Sequence, residues 1–154
     1  MNDITSYMLE QTKKILSSDS PTGFTAHAAE YVLGAYKKLG YDAKLTNKGG
    51  IFVCVNDGPD QADDPADAPI LLEAHMDTLG GMVCSINEKG RLMLSALGGM
   101  NPNNAEAENC RVYTRSGKVY SGTFQLKNAS IHVNGSYNDT ARSYDAMEVV
   151  LDEP

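Results

Sequence analysis

The chain has 154 residues, room for one domain or for one and a small second. Its apolar fraction of 42% is ordinary for a globular protein, and no apolar run approaches the length of a membrane-spanning helix. A net charge of −7 excludes a general nucleic-acid binder, which needs a basic footprint, and disfavours adhesion to anionic membranes.

The opening residues, Met1-Asn2-Asp3-Ile4, lack the basic and apolar regions of a secretory signal, so a cytoplasmic location is expected. Ile4, Tyr7, Met8, Ile15 and Leu16 fall on one helical stripe and predict an amphipathic helix over 4–17. Ser-Asp-Ser-Pro-Thr-Gly at 18–23 breaks it. A second helix is predicted over 25–39, with Ala29, Val32, Leu33 and Tyr36 as its buried stripe, Thr25 as N-cap and Gly40 just past its end.

Tyr41, Ala43 and Leu45 then alternate with polar residues as in a half-exposed strand. Asn47-Lys48-Gly49-Gly50 turns the chain, and 51–55 returns as a second strand. The segment 57–69 carries five aspartates, three prolines and no basic residue. It lacks the ligand spacing of a calcium loop and is expected to be a solvated, extended connection.

At 70–74 a continuous apolar run, bounded by Pro69 and the later glycines, predicts a buried strand of a parallel sheet. It stops at His75 and, two residues on, Asp77. Residues two apart on a strand project the same way, and the carboxyl edge of an open α/β sheet is where ligands bind. Imidazole is a common zinc ligand and usually hands its second nitrogen to a carboxylate, so the pair can supply one ligand and one orienting acid. Spacing alone suits a strand-ending histidine and a turn-forming aspartate better than a metal pair.

After Gly81 helical stripes vanish. Short alternating segments at 82–86, 91–96, 111–114, 119–126, 129–133 and 147–151 predict strands, with turn signals between them. Their spacing suggests a small all-β barrel or sandwich, with a boundary near Gly80-Gly81. Cys54, Cys84 and Cys110 are odd in number and far apart, and are expected to be buried free thiols. Glycosylation-type triplets begin at Asn128, Asn134 and Asn138 and are taken as turn-rich sequence.

Four stretches together resemble the glutamyl aminopeptidase family of dinuclear metallopeptidases, which includes the tetrahedral aminopeptidases and endoglucanase-named relatives. They are the loop Ser20-Pro21-Thr22-Gly23-Phe24-Thr25, the hairpin Asn47-Lys48-Gly49-Gly50, the motif Ala74-His75-Met76-Asp77-Thr78-Leu79-Gly80 with Gly81-Met82-Val83 after it, and the pair Gly98-Gly99. The resemblance implies an α/β catalytic domain interrupted by an inserted all-β, barrel-like domain. Residues 1–80 would be the N-terminal part of the catalytic domain and 81–154 the insertion, with the C-terminal half of the catalytic domain absent.

By the same resemblance His75 would be a ligand of one metal ion and Asp77 the acid that orients its ring. Thr78 departs from the glutamate common at its position. The complete enzyme would use two divalent metal ions, zinc or cobalt, to hydrolyse N-terminal residues from peptides, and would assemble as a homo-oligomer through the β domain. Its bridging aspartate, its Glu-Glu pair, a further aspartate and a late histidine all follow the insertion in the family. Here the chain stops at Leu151-Asp152-Glu153-Pro154. Asp152-Glu153 sits too early, beside a strand of the insertion, to replace that pair.

His27 and Glu30 share a face of the second helix and suit a surface pair, and His132 lies in the β region. Two helices cannot cover both faces of a central strand, so an uncovered apolar patch and an incomplete chain are expected. The leading expectation is therefore part of a metal-dependent aminopeptidase, inactive by itself. The alternatives are a non-catalytic relative kept as an assembly or interaction module, and a zinc-dependent deacylase or carboxypeptidase sharing the His-x-Asp strand end.

Overall fold

Helical periodicity is confined to the first forty residues, and there the chain forms two helices, α1 at Asp3–Leu16 and α2 at Ala26–Lys38. The computed structural model describes residues 3–55 and 70–153, which fall into two compact units, Met1–Thr78 and Leu79–Pro154. None of the described helices is long and apolar enough to cross a membrane.

α1 places Asp3 in its first turn and Lys13 and Lys14 in its last, complementing the helix dipole. Its apolar stripe is nonetheless uncovered: Ile4, Met8 and Leu16 are exposed and no α1 residue is buried. α2 buries Ala28 and Ala29, while Val32, Leu33 and Tyr36 are half-buried. Thr25 precedes α2 but does not cap it. Its backbone is already helical (φ −96°, ψ −2°), whereas a capping side chain turns back onto the helix from an extended residue. Gly40 ends α2 in the left-handed region (φ +92°). Tyr41 N–H donates to Tyr36 O at 3.1 Å and Gly40 N–H to Lys37 O at 3.0 Å, the paired bonds of a Schellman motif.

β1 (Lys44–Leu45) and β2 (Ile51–Phe52) form an antiparallel hairpin, shorter than the alternation predicted. The acidic stretch 57–69 lies outside the described residues. At 70–74 expectation and structure part. Residues 70–77 form no strand, and Ile70, Leu71 and Leu72 are 88%, 71% and 90% exposed. A parallel strand needs neighbours to pair its N–H and C=O groups and helices to cover its faces. Among the described residues, the pairing nearest this run is a single parallel bridge between Pro21 and Thr78.

The second unit is one five-stranded antiparallel sheet. β3 (Gly80–Ile86), β4 (Leu92–Leu97), β5 (Asn109–Tyr113), β6 (Val119–Leu126) and β7 (Met147–Leu151) lie in the order β3-β4-β7-β6-β5. That order leaves β3 and β5 as edges among the described residues. The predicted strand at 129–133 is a run of turns instead. Asn134 Nδ2 donates to Asn128 O at 2.9 Å, and Ser136 N–H donates to Asn134 Oδ1 at 3.1 Å. Such local side-chain bonds compete with a sheet ladder.

The core of this unit is Leu92, Phe124, Leu126, Met147 and Val149, supplied by the three central strands. Tyr144 tilts against Phe124 with ring centroids 5.8 Å apart, and its hydroxyl donates to Gly80 O at 3.3 Å. Gly122 in β6 cannot be replaced freely, because a Cβ there would lie 2.6 Å from the Val150 carbonyl oxygen. The long 127–146 connection is clamped by Arg142. Its Nε donates to Glu106 Oε2 at 2.8 Å, and another of its nitrogens donates to Tyr137 O at 2.9 Å and Thr140 O at 2.8 Å.

Candidate metal-ligand site

The site is built from the two stretches that flank the first unit's parallel bridge. After α1, Pro21-Thr22-Gly23-Phe24 makes a tight turn, closed by Phe24 N–H donating to Pro21 O at 2.7 Å. Gly23 supplies the positive φ (+86°) that a type II turn requires at its third residue. Thr78 N–H donates to Ser20 O at 2.7 Å and Thr22 N–H to Thr78 O at 3.3 Å, so the turn is zipped to the end of the His-x-Asp stretch.

This brings Thr22 to Asp77. The threonine hydroxyl donates to Asp77 Oδ2 at 2.7 Å. The other carboxylate oxygen, Oδ1, lies 3.3 Å from His75 Nδ1, and the Asp77 carbonyl oxygen lies 2.9 Å from the same nitrogen. Both groups facing Nδ1 are acceptors. That assigns the ring hydrogen to Nδ1 and leaves the lone pair on Nε2, the arrangement of a metal-ligating imidazole. The His75 side chain is 85% exposed. The Thr22 hydrogen bond, more than the fields of its own backbone N–H and of His75, holds the Asp77 carboxyl below the usual aspartate range against a smaller opposing effect of burial.

The structure therefore brings His75 and Asp77 together and adds Thr22. That residue had no assigned role in the sequence, although its loop had been singled out, because a contact across 55 positions has no periodic signature. His27 stands edge-on to Phe24, with ring centroids 5.7 Å apart. His132 is exposed among turns. Glu153 pairs with Lys118 at 3.0 Å and Asp152 follows β7 directly. Cys54 and Cys84 are exposed and Cys110 is half-buried, which corrects the expectation of burial. Cys84 sits on the edge strand β3 where the register to β4 shifts, and its Sγ donates to Met93 O at 3.3 Å.

Among the described residues no group of three or more His, Cys, Asp or Glu side chains converges in a way that could hold a metal ion. A catalytic zinc takes three protein ligands and an open position. One imidazole with its orienting acid fits one arm of such a site and does not fit the whole.

Comparison with known proteins sharpens this picture. The sequence profile described as M42 glutamyl aminopeptidase matches residues 50–154. YhfE of Bacillus subtilis (strain 168), provisionally named an aminopeptidase, is 35% identical over 146 residues, which are 95% of this chain and 40% of that protein. The crystal structure of a TET aminopeptidase from the marine sediment archaeon Thaumarchaeota archaeon SCGC AB-539-E09 superposes with a TM-score of 0.77 at 19% identity, over 97% of this chain and 39% of that one. PhTET1-12s, solved as a dodecamer, superposes with a TM-score of 0.74 at 20% identity, over 94% of this chain and 39% of that one. The chain thus has the fold of part of a TET aminopeptidase and spans about two fifths of the length of the relatives it matches.

Proposed function

The chain belongs to the M42 glutamyl aminopeptidase family, a family of peptidases, and on that premise we propose that it is the N-terminal portion of a metal-dependent aminopeptidase that removes N-terminal residues from peptides. In this reading His75 is a ligand to one metal ion through Nε2, and Asp77 holds its ring. The first unit is part of the α/β catalytic domain, and the β unit is the domain inserted into it.

The observation that carries the reading is the His75–Asp77 pair, exposed and anchored through Nδ1, within the stretch the family profile matches. The implied cofactor is a pair of divalent ions, zinc or cobalt, which would polarise a scissile carbonyl and activate water. Its further ligands and a general base lie elsewhere in the complete protein, so this segment alone turns over no substrate. The uncovered run at Ile70, Leu71 and Leu72 agrees with a strand whose neighbours come from that remainder.

The same reading makes the protein a homo-oligomer through the β unit. Support comes from the exposed apolar side chains of the edge strand β3, Met82 and Ile86, and from the dodecameric assembly of a structural relative.

The test is made on a full-length protein carrying this segment. His75→Ala is expected to lower metal-dependent release of N-terminal residues by more than the roughly 10–100-fold that loss of a ligand's outer partner costs. Retained activity would overturn the ligand assignment. A full-length protein that assembles without metal and without turnover would favour the assembly-module alternative.

A further inference from the structure

We propose that Asn134 is a site of covalent self-modification: the Gly135 amide nitrogen displaces its side-chain amide, and the acid so formed releases the front half of the 127–146 connection.

Asn134 is the residue on which that half is fixed. Its N–H donates to Ser130 O at 2.8 Å, and its carbonyl oxygen accepts from Tyr137 N–H at 3.0 Å. Its side chain adds two more bonds, Nδ2 donating to Asn128 O at 2.9 Å and Oδ1 accepting from Ser136 N–H at 3.1 Å. These partners fix which side-chain atom is oxygen and which is nitrogen.

The next residue supplies the nucleophile. Gly135 is exposed, and a Cβ built on it would meet nothing within 4 Å. Without a side chain, its backbone nitrogen is open to a close approach. Attack on Asn134 Cγ forms a C–N bond and a cyclic imide. The Cγ–Nδ2 bond breaks, and ammonia leaves with the hydrogen that the Gly135 nitrogen gives up. Water then opens the imide at either carbonyl, which leaves an aspartyl or an isoaspartyl residue. Ser136 N–H already points at Oδ1, where negative charge gathers as the nitrogen adds, and a donor placed there stabilises that charge.

The product cannot keep the native contacts. A carboxylate only accepts, so in place of Nδ2 it faces another acceptor, the Asn128 carbonyl oxygen. The rear half of the connection stays held, because Arg142 donates to Tyr137 O and Thr140 O. The opening is therefore local.

The experiment incubates the complete 154-residue chain, folded, at neutral and mildly alkaline pH. Peptide mapping over days reads the mass gained when an amide becomes an acid. Asn128, followed by Ala129, and Asn138, followed by Asp139, are references in the same connection. Asn134 is expected to convert several-fold faster than either, and faster still as pH rises, because the attacking amide must lose its proton. Gly135→Ala, which the open space admits without a positive φ, should slow Asn134 to the rate of Asn128. A rate at Asn134 no faster than at Asn128 in the folded chain, or one that Gly135→Ala leaves unchanged, overturns the site.

Asn134→Asp tests the consequence. Hydrogen exchange should quicken several-fold over 128–137 and stay unchanged in β6 and β7. Unchanged exchange over 128–137 overturns the release, and exchange that quickens equally in β6 and β7 overturns its local character.

Discussion

The two units spend their apolar residues differently. In the β unit five large or medium side chains, Leu92, Phe124, Leu126, Met147 and Val149, close on one another at 5% exposure or less. In the first unit the buried apolar residues among those described are three alanines, Ala28, Ala29 and Ala43, while Ile4, Met8, Leu16, Ile70, Leu71 and Leu72 remain exposed. A fully buried large side chain contributes about 1.5–3 kcal/mol and an alanine methyl well under half of that. The β unit carries its own stability. The described residues of the unit that holds the candidate site close on no comparable core, which agrees with the proposal that this unit is part of a larger catalytic domain.

The sharpest way to break this contrast is to truncate one side chain in each unit. Phe124→Ala is expected to cost about 3–5 kcal/mol, since the ring is 4% exposed and leaves a cavity against Tyr144. Leu72→Ala is expected to fall within about 0.5 kcal/mol, since that side chain is in water already at 90% exposure. Hydrogen exchange followed separately over 3–55 and 79–153 reads both. A Phe124 effect no larger than the Leu72 effect would dissolve the difference between the units.

A smaller effect is expected at the ion pairs. Arg142 and Glu106 are 13% and 22% exposed, and the same guanidinium also satisfies two backbone carbonyls of the 127–146 connection and stacks 4.7 Å from the Tyr137 ring. Lys14 and Glu10 on α1 are 50% and 59% exposed. Arg142→Ala should lower the melting temperature of the β unit by a few degrees and open the connection to proteolysis. Lys14→Ala should be indistinguishable from the parent, as exposed i,i+4 pairs contribute little. Equal effects would mean that the connection is not held by Arg142.

What the sequence made legible follows from range. α1, α2, the Gly40 terminus, β6 and β7 all rest on local periodicity or turn chemistry, and each lies within two residues of its expected place. The His75–Asp77 pair was legible because its partners are two residues apart. The run at 70–74 was misjudged because a buried strand is defined by what covers it, and apolarity states the need for cover without supplying it. Residues 129–133 were misjudged because alternation there competes with asparagine and serine bonding to nearby backbone. Thr25 occupies its expected position, but the geometry that makes a cap is not written in residue type. Thr22 was invisible because its partner comes from a distant stretch.

The finest test of the contrast is thiol chemistry, because each unit offers a cysteine. Cys110 in β5 is half-buried against the core, and burial, reinforced by the charge of Asp152, pushes its thiol above the ordinary range. Cys54 in the first unit is exposed. A thiol raised in the native state favours the protonated form. Its contribution to stability is therefore complete below the ordinary thiol range and is lost as pH rises through the higher native value. Alkylation depends on thiolate and access, so at mildly alkaline pH Cys110 should label several-fold more slowly than Cys54, and the β unit should lose stability only as the solution becomes strongly alkaline. Peptide mapping after timed alkylation measures the first, and melting temperature against pH the second. Were Cys110 to label as fast as Cys54, the sheet would be opening at its β5 edge, and the core that distinguishes the second unit would not be closed.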